Sequence, residues 1–308
     1  MTSSVGPCAG PPQAGPRPLG GPLAVRGKRG GCMTWQGQLS LNYRFGAGRT
    51  TVHDRHSGPL RVLQSLYPEG HAICHNVLVH PPGGIVGGDV LHVEATLDAG
   101  AHALITTPGA TRFYRSAGEP VLQSLTARVN EAARLEWLPL ETIAHSGCIA
   151  ENRLRFELAP GAEMIGWDVL ALGLPASNQA FERGRFTQTI ELPGRWLERG
   201  VTDAADTRLL DSPLGWAGHR VLGTLWFAAG TALPNPRRDA LLDVARAVIE
   251  AHPLRVAAGA TATHDGIVVL RVLARRVEPM MNLLTAVWAA WRRAAWHLEG
   301  RAPRVWRT

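Results

Sequence analysis

The sequence contains no run of eighteen or more uncharged apolar residues; its longest stretches, such as 221–231, are shorter and carry glycine. A membrane-spanning helix is therefore not expected, because crossing the hydrocarbon layer takes about 20 apolar residues. Cysteine is scarce: Cys8, Cys32, Cys74 and Cys148 are irregularly spaced and form no CxxC pair. That argues against a disulfide framework and against a structural zinc cage. The twelve histidines include no HxH or HExxH cluster, and no GxSxG elbow or paired acid motif points to a hydrolase. The first residues lack a positive stretch followed by an apolar one, so a secretory signal is not expected and a cytoplasmic location is. Acids are missing from the first 33 residues, which hold Arg17, Arg26, Lys28 and Arg29 out of a formal net charge of +7. The rest of the chain is only mildly basic. Its arginines are spread out, without the basic stripe and interleaved aromatics of a nucleic-acid binder.

What is present suits a globular protein, with 308 residues of which 45% are apolar. Residues 1–33 are rich in Gly and Pro and have few large apolar side chains to offset the entropy of ordering, so a disordered extension is expected there. Met33 is an alternative start, and 34–308 is expected to form a single domain. Deleting residues 1–31 should leave thermal stability and function unchanged; a large loss of either in a melting experiment and an activation assay would contradict this.

From Trp35 onward, short alternating runs broken by Gly, Pro, Asn and Asp predict strands. Three segments look alike. Leu91 to Leu97, Leu125 to Val129 and Leu154 to Leu158 are each followed by a small-residue turn and a second strand. Their spacing of about thirty residues is typical of solenoid coils, with ordinary sandwich hairpins as the alternative. The expected class is mainly β, a β-helical or layered body of short strands with two helices near the C-terminus. Asn235 and Pro236 can open a helix over 236–250, with Leu241, Leu242, Ala245, Val248 and Ile249 on one face. Pro279 opens a second over 279–299. There Met280, Leu284, Val287, Trp288, Trp291, Ala295 and Leu298 form a stripe that suits a core or a docking face, and Gly300 suits the C-terminal cap.

The most distinctive stretch is His80-Pro-Pro-Gly-Gly-Ile-Val-Gly-Gly-Asp89, followed by Thr106-Thr-Pro-Gly-Ala-Thr-Arg-Phe-Tyr-Arg-Ser116. Its paired glycines supply backbone freedom, but no Gly-Lys-Ser/Thr or following helix makes it a phosphate loop. These blocks resemble the signature stretches of the UreD (UreH) urease accessory family. Gly58 to Val62, Leu66 to Gly70, Leu135 to Thr142, Leu172 to Ala176 and Pro303 to Trp306 follow in matching order, while Leu140 departs, standing where the family has Gln. The resemblance implies a β-helical, non-catalytic scaffold that bridges apo-urease to UreF and, through it, to the GTPase UreG. It further implies a metallochaperone role in which nickel passes in transit through the scaffold and no cofactor is permanently bound.

Imidazole, carboxylate and thiolate all ligate Ni²⁺, and a conduit needs few of them per site or it becomes a trap. The candidates within the matching blocks are Glu69, His71, Cys74, His75, Asp89, Glu141, His145 and Cys148, with His80 and Glu136 beside them. Adjacent Cys74 and His75 should point to opposite faces of a strand, and His71 and His75 to one face. A turn at Ser146-Gly147 would draw His145 toward Cys148. Glu69 and Glu141 rank first, because a carboxylate beside Pro, Gly or Thr has little packing role. Two other readings of the same residues are a metal-dependent β-solenoid or cupin-like enzyme and a purely structural adaptor.

Overall fold

The computed structural model describes residues 27–29 and 32–307. The expected disordered extension lies outside the described residues up to position 26, and β1 (Gly27–Arg29) pairs with β2 (Cys32–Thr34) as a small ribbon. The chain then shuttles between two sheets. The first sheet receives β3 (Gln36–Gly46) and β4 (Arg49–Ser57), and the second β5 (Arg61–Val62) and β6 (Ile73–Val79). In the first solenoid coil β7 (Val90–Leu97) joins the first sheet, and β8 (His102–Thr106) and β9 (Thr111–Phe113) the second. The next coil repeats this with β10 (Val121–Val129), then β11 (Arg134–Leu138) and β12 (Thr142–Ala144). A third places β13 (Cys148–Leu158) opposite β14 (Glu163–Leu172). The chain continues through β15 (Gly184–Leu192), β16 (Trp196–Asp203), α1 (Thr207–Asp211) and β17 (Val221–Ala229). It ends with α2 (Asn235–Glu250), β18 (Ala258–His264), β19 (Ile267–Ala274) and α3 (Val277–Trp296).

The first sheet has the order β16-β15-β13-β10-β7-β3-β4 and the second β18-β19-β17-β14-β11-β8-β6-β5, with β12 and β9 alongside. From β3 to β15 the first sheet is parallel, as are β6, β8, β11 and β14 in the second. The repeats are therefore solenoid coils and not hairpins, because parallel neighbours need a crossover connection. The register aligns Leu39, Val93, Leu125, Leu154 and Ile190 in one row, all buried. Each such side chain contributes on the order of 1.5–3 kcal/mol by leaving water. Positive φ recurs three residues past each aligned strand end, at Gly100, Ala132 and Gly161. The coil turn thus has one backbone shape, which glycine adopts freely and Ala132 adopts under strain.

Helices α2 and α3 cover the far side of the second sheet, so β14 and β17 are buried on both faces and carry near-continuous apolar sequence. The helices agree with expectation to within one to three residues. Asn235 is the first helical residue of α2, and Leu241, Leu242, Ala245 and Ile249 are buried. The stripe on α3 is core: Met280, Leu284, Val287, Trp288 and Trp291 are fully buried against the sheet. The expected cap at Gly300 is corrected. α3 ends in the left-handed residue His297, whereas a Cβ on Gly300 would lie 2.2 Å from Ala289 Cβ, so this glycine permits close packing instead of closing the helix. The short α1, capped by Asp206 accepting from Leu209 N–H (2.9 Å), has too few residues for a periodic signal.

Candidate functional site

The coil register stacks polar residues at one level of the largely apolar core. In the first sheet Leu91, Gln123, Asn152 and Gln188 share a row; in the second, Asp168, Thr224 and Arg271 do. The neighbouring rows of the first sheet are apolar, with Val121, Ala150 and Phe186 on one side and Leu125, Leu154 and Ile190 on the other. Asn152 joins the two sheets. Its amide donates to Asp168 Oδ1 (3.4 Å) and to Gln188 Oε1 (3.2 Å), and it accepts from Gln123 Nε2 (3.4 Å).

A cavity of about 350 Å³ reaches this stratum from the end of the sandwich. Leu78, Val93, Leu125, Trp137 and Leu154 line its walls, and Gln123, Thr142, Asn152 and Asp168 make its floor. His80, Gly83, Gly84 and Arg112 stand around the mouth. A Cβ on Gly84 would lie 1.9 Å from the Tyr114 ring, which in turn packs on His145 (centroids 4.7 Å apart). The glycine pair therefore lets the loop lie flat on Tyr114. Two buried nitrogens lining this cavity, Trp137 Nε1 and His80 Nε2, have no hydrogen-bond partner among the described residues. Unpaired buried polar nitrogens are rare, which sets these two apart from the rest of the lining.

Asp168 is the one carboxylate on the cavity floor. Burial, reinforced by the nearby charge of Glu198, pushes its carboxyl up to about 7. Glu198 projects inward from β16 and ion-pairs with Arg271 on β19, joining the edge of the first sheet to the second. The glutamate side chain is 16% exposed and the arginine 55%.

The residues expected to offer metal ligands separate into groups. Glu69, His75 and Glu136 are brought together, but inside a closed ion-pair network under α3. Arg292, fully buried, donates to both oxygens of Glu69 (2.9 and 3.1 Å) and lies 3.3 Å from Glu136. Glu69 also meets His75 Nε2 (2.9 Å), while Glu136 meets His102 Nε2 (2.8 Å) and accepts from Trp288 Nε1 (2.6 Å). Burial acts to raise the Glu69 carboxyl, yet hydrogen bonds from His75 and Arg292 outweigh it and hold the carboxyl below its usual range. The expectation that Glu69 has little packing role is thus corrected: it anchors α3 to the turn before β6.

Cys74 and His75 do point to opposite faces, Cys74 into the space between the sheets and His75 toward Glu69 under α3. His71 does not share a face with His75, because the strand begins only at Ile73 and His71 is exposed beside Tyr67. Asp89 is spent on backbone, accepting from Trp35 N–H (2.8 Å) and Val86 N–H (3.0 Å) to close the Gly-rich loop. Cys148 N–H bonds His145 O, so the turn forms, but the buried thiol faces Arg185 O (4.0 Å) and burial pushes it up to about 12. His145 packs on Tyr114 instead, and burial lowers its pKa. Glu141 is half-buried between Pro139 and Thr142, both of which line the cavity, and its carboxylate has no hydrogen-bond or ion-pair partner among the described residues. Among the described residues no three His, Cys, Asp or Glu side chains converge as a metal cage.

Asp168, Asn152, Gln123 and Gln188 escaped the sequence reading. A signal existed: Gln123, Asn152 and Gln188 each stand two residues before an aliphatic member of the repeating row, and Asp168 interrupts an apolar run.

Comparison with known proteins agrees with the blocks that suggested the family. A family model described as UreD urease accessory protein matches residues 36–307. The urease accessory protein UreD of Leptothrix cholodnii is 64% identical over 278 residues, covering 90% of this chain and 100% of that protein. Those of Paracidovorax citrulli and Variovorax paradoxus are 61% and 60% identical over 274 and 276 residues, spanning 89% and 90% of this chain and 99% and 100% of their own. With the match running from the first long strand through the C-terminal helices to Arg307, the chain belongs to the UreD family of urease accessory proteins.

Proposed function

We propose that the chain is a non-catalytic scaffold for nickel insertion into apo-urease, working in the cytoplasm in complex with UreF and the GTPase UreG. Nickel is its cargo and crosses the body through the inter-sheet cavity. The observation that carries this reading is the polar stratum that ends the cavity, where one carboxylate stands among neutral amides. Such a set suits transit. Asp168 attracts a divalent cation, while Gln123, Asn152 and Gln188 offer carbonyl oxygens that replace water without adding charge, so nothing holds the metal tightly. Glu141, without a side-chain partner among the described residues and next to the lining residue Thr142, adds an attracting charge beside the cavity.

The test is co-expression of urease subunits with the other accessory proteins, scoring nickel per active site with this chain, without it, and with Asn152→Leu. Leucine keeps the branched shape and heavy-atom count but removes the amide that joins the stratum. Loading should fall to background without the chain and drop severely with the leucine variant. Wild-type nickel content in the absence of the chain would overturn the scaffold reading, and wild-type content with a folded Asn152→Leu protein would overturn the passage.

A further inference from the structure

The polar stratum does not end at the cavity floor. Beyond Asp168 and Asn152 it continues through Gln188 in the first sheet and through Thr224 to Arg271 in the second, and at the flank Arg271 meets Glu198, which sits one row further along the edge strand β16 opposite Ile190. Gln188 Nε2 is buried there with no partner among the described residues. The pair at the flank is asymmetric: the carboxylate is largely enclosed, and the guanidinium lies outside it, more than half exposed. An exposed cation over an enclosed carboxylate has the form of a stopper. Arg271 neutralises Glu198 and repels any cation arriving from within, and among the described residues no other ion pair closes this side of the stratum.

Building on the passage proposed above, we propose that Glu198 and Arg271 are a displaceable latch on its second opening, which yields when a divalent cation takes the carboxylate from the guanidinium. A double charge competes better than a single one for the same oxygens, while a half-exposed guanidinium is readily rehydrated once it swings away. The latch therefore opens to its cargo and stays shut to monovalent ions and bulk water. It leaves Asp168 and Asn152 facing a closed wall when no metal is present.

The two halves of the pair should respond in opposite directions, which a purely structural bridge would not do. Nickel loading of urease would be timed at limiting nickel with the full set of accessory proteins, alongside the denaturant midpoint of each variant. Arg271→Gln should speed loading by about two- to fivefold, the factor an ion pair of this exposure is worth. Glu198→Gln should slow it by about tenfold, the lower end of what losing one group of a metal site's surroundings costs. If Arg271→Gln lowers the midpoint, Arg271→Lys, which keeps the charge but not the fork, should still load faster than wild type. Asp168→Asn separates the two readings. If it loads normally, the passage itself fails; if it loads poorly while the Arg271 and Glu198 variants change in the same direction or not at all, the latch fails and the passage stands.

Discussion

Asp168→Asn should give a protein that is more stable than the parent at pH 8 and that delivers little nickel. The carboxyl is buried, and its pKa stands at about 7 against an ordinary value of 3.8. A folded state that holds its proton more tightly than the unfolded chain is favoured at low pH. The stability associated with Asp168 is thus fully present below about pH 4, is lost as pH rises through 4 to 7, and is gone above that window. Asparagine has no proton to lose and keeps a carbonyl oxygen to accept from Asn152, so the variant should escape that loss. The gain at pH 8 should be on the order of 1–3 kcal/mol and should vanish near pH 4. Urea midpoints of both proteins across this range measure it. A variant that is less stable than the parent at every pH would mean that the carboxylate is structurally paired. One that gains stability and still loads nickel normally would mean that its cost serves no transport. Stability given up at one buried group is the pattern expected of a functional site.

Arg292→Met should have the largest effect on the fold itself. Methionine matches the aliphatic stem but removes the cation that, alone among the described residues, touches both Glu69 and Glu136. Those two carboxylates would then remain under α3 with only His75, His102 and Trp288 as partners, and the ring of Trp288 would lose the guanidinium that sits 5.0 Å from its centroid. Breaking a buried ionic network from one side costs about 3–5 kcal/mol, because the remaining charges stay enclosed without compensation. Chemical denaturation at pH 7 is the measurement; a loss under about 1 kcal/mol would show that water reaches the network. The same geometry changes what Glu69→Gln would report. Its effect on nickel delivery cannot be separated from its effect on α3, whereas Glu141→Gln leaves the ion network intact.

The solenoid was legible because it is written locally. Leu125 and Leu154 repeat the pattern of Val93, and the small-residue turns fall at fixed offsets. The helices were legible for the same reason, since Met280 to Trp291 follow a period that one stretch of chain carries by itself. The cavity floor was not, because it is assembled from single polar residues in four strands whose register only pairing reveals. Each of Gln123, Asn152 and Gln188 looks like an ordinary exposed strand residue until the row is stacked. Ranking Glu69 by its neighbours Pro68 and Gly70 failed for a related reason. Its partner lies 223 residues further on, a distance over which sequence proximity carries no information.

That same separation sets an order of events on the ribosome. The solenoid coils pair with neighbours only a few tens of residues away and can assemble as they emerge. Glu69, Glu136 and the apolar outer face of β14 and β17 have no cover until α3 is made, close to the end of synthesis. Closing contacts of such long range is slow relative to local pairing, and the open intermediate exposes both buried carboxylates and a sheet face meant for tryptophan. A nascent chain halted before Arg292 is therefore a half-built protein with a sticky side, and a nonsense codon in the last helix should send it to aggregation or proteolysis and not to a shorter working scaffold.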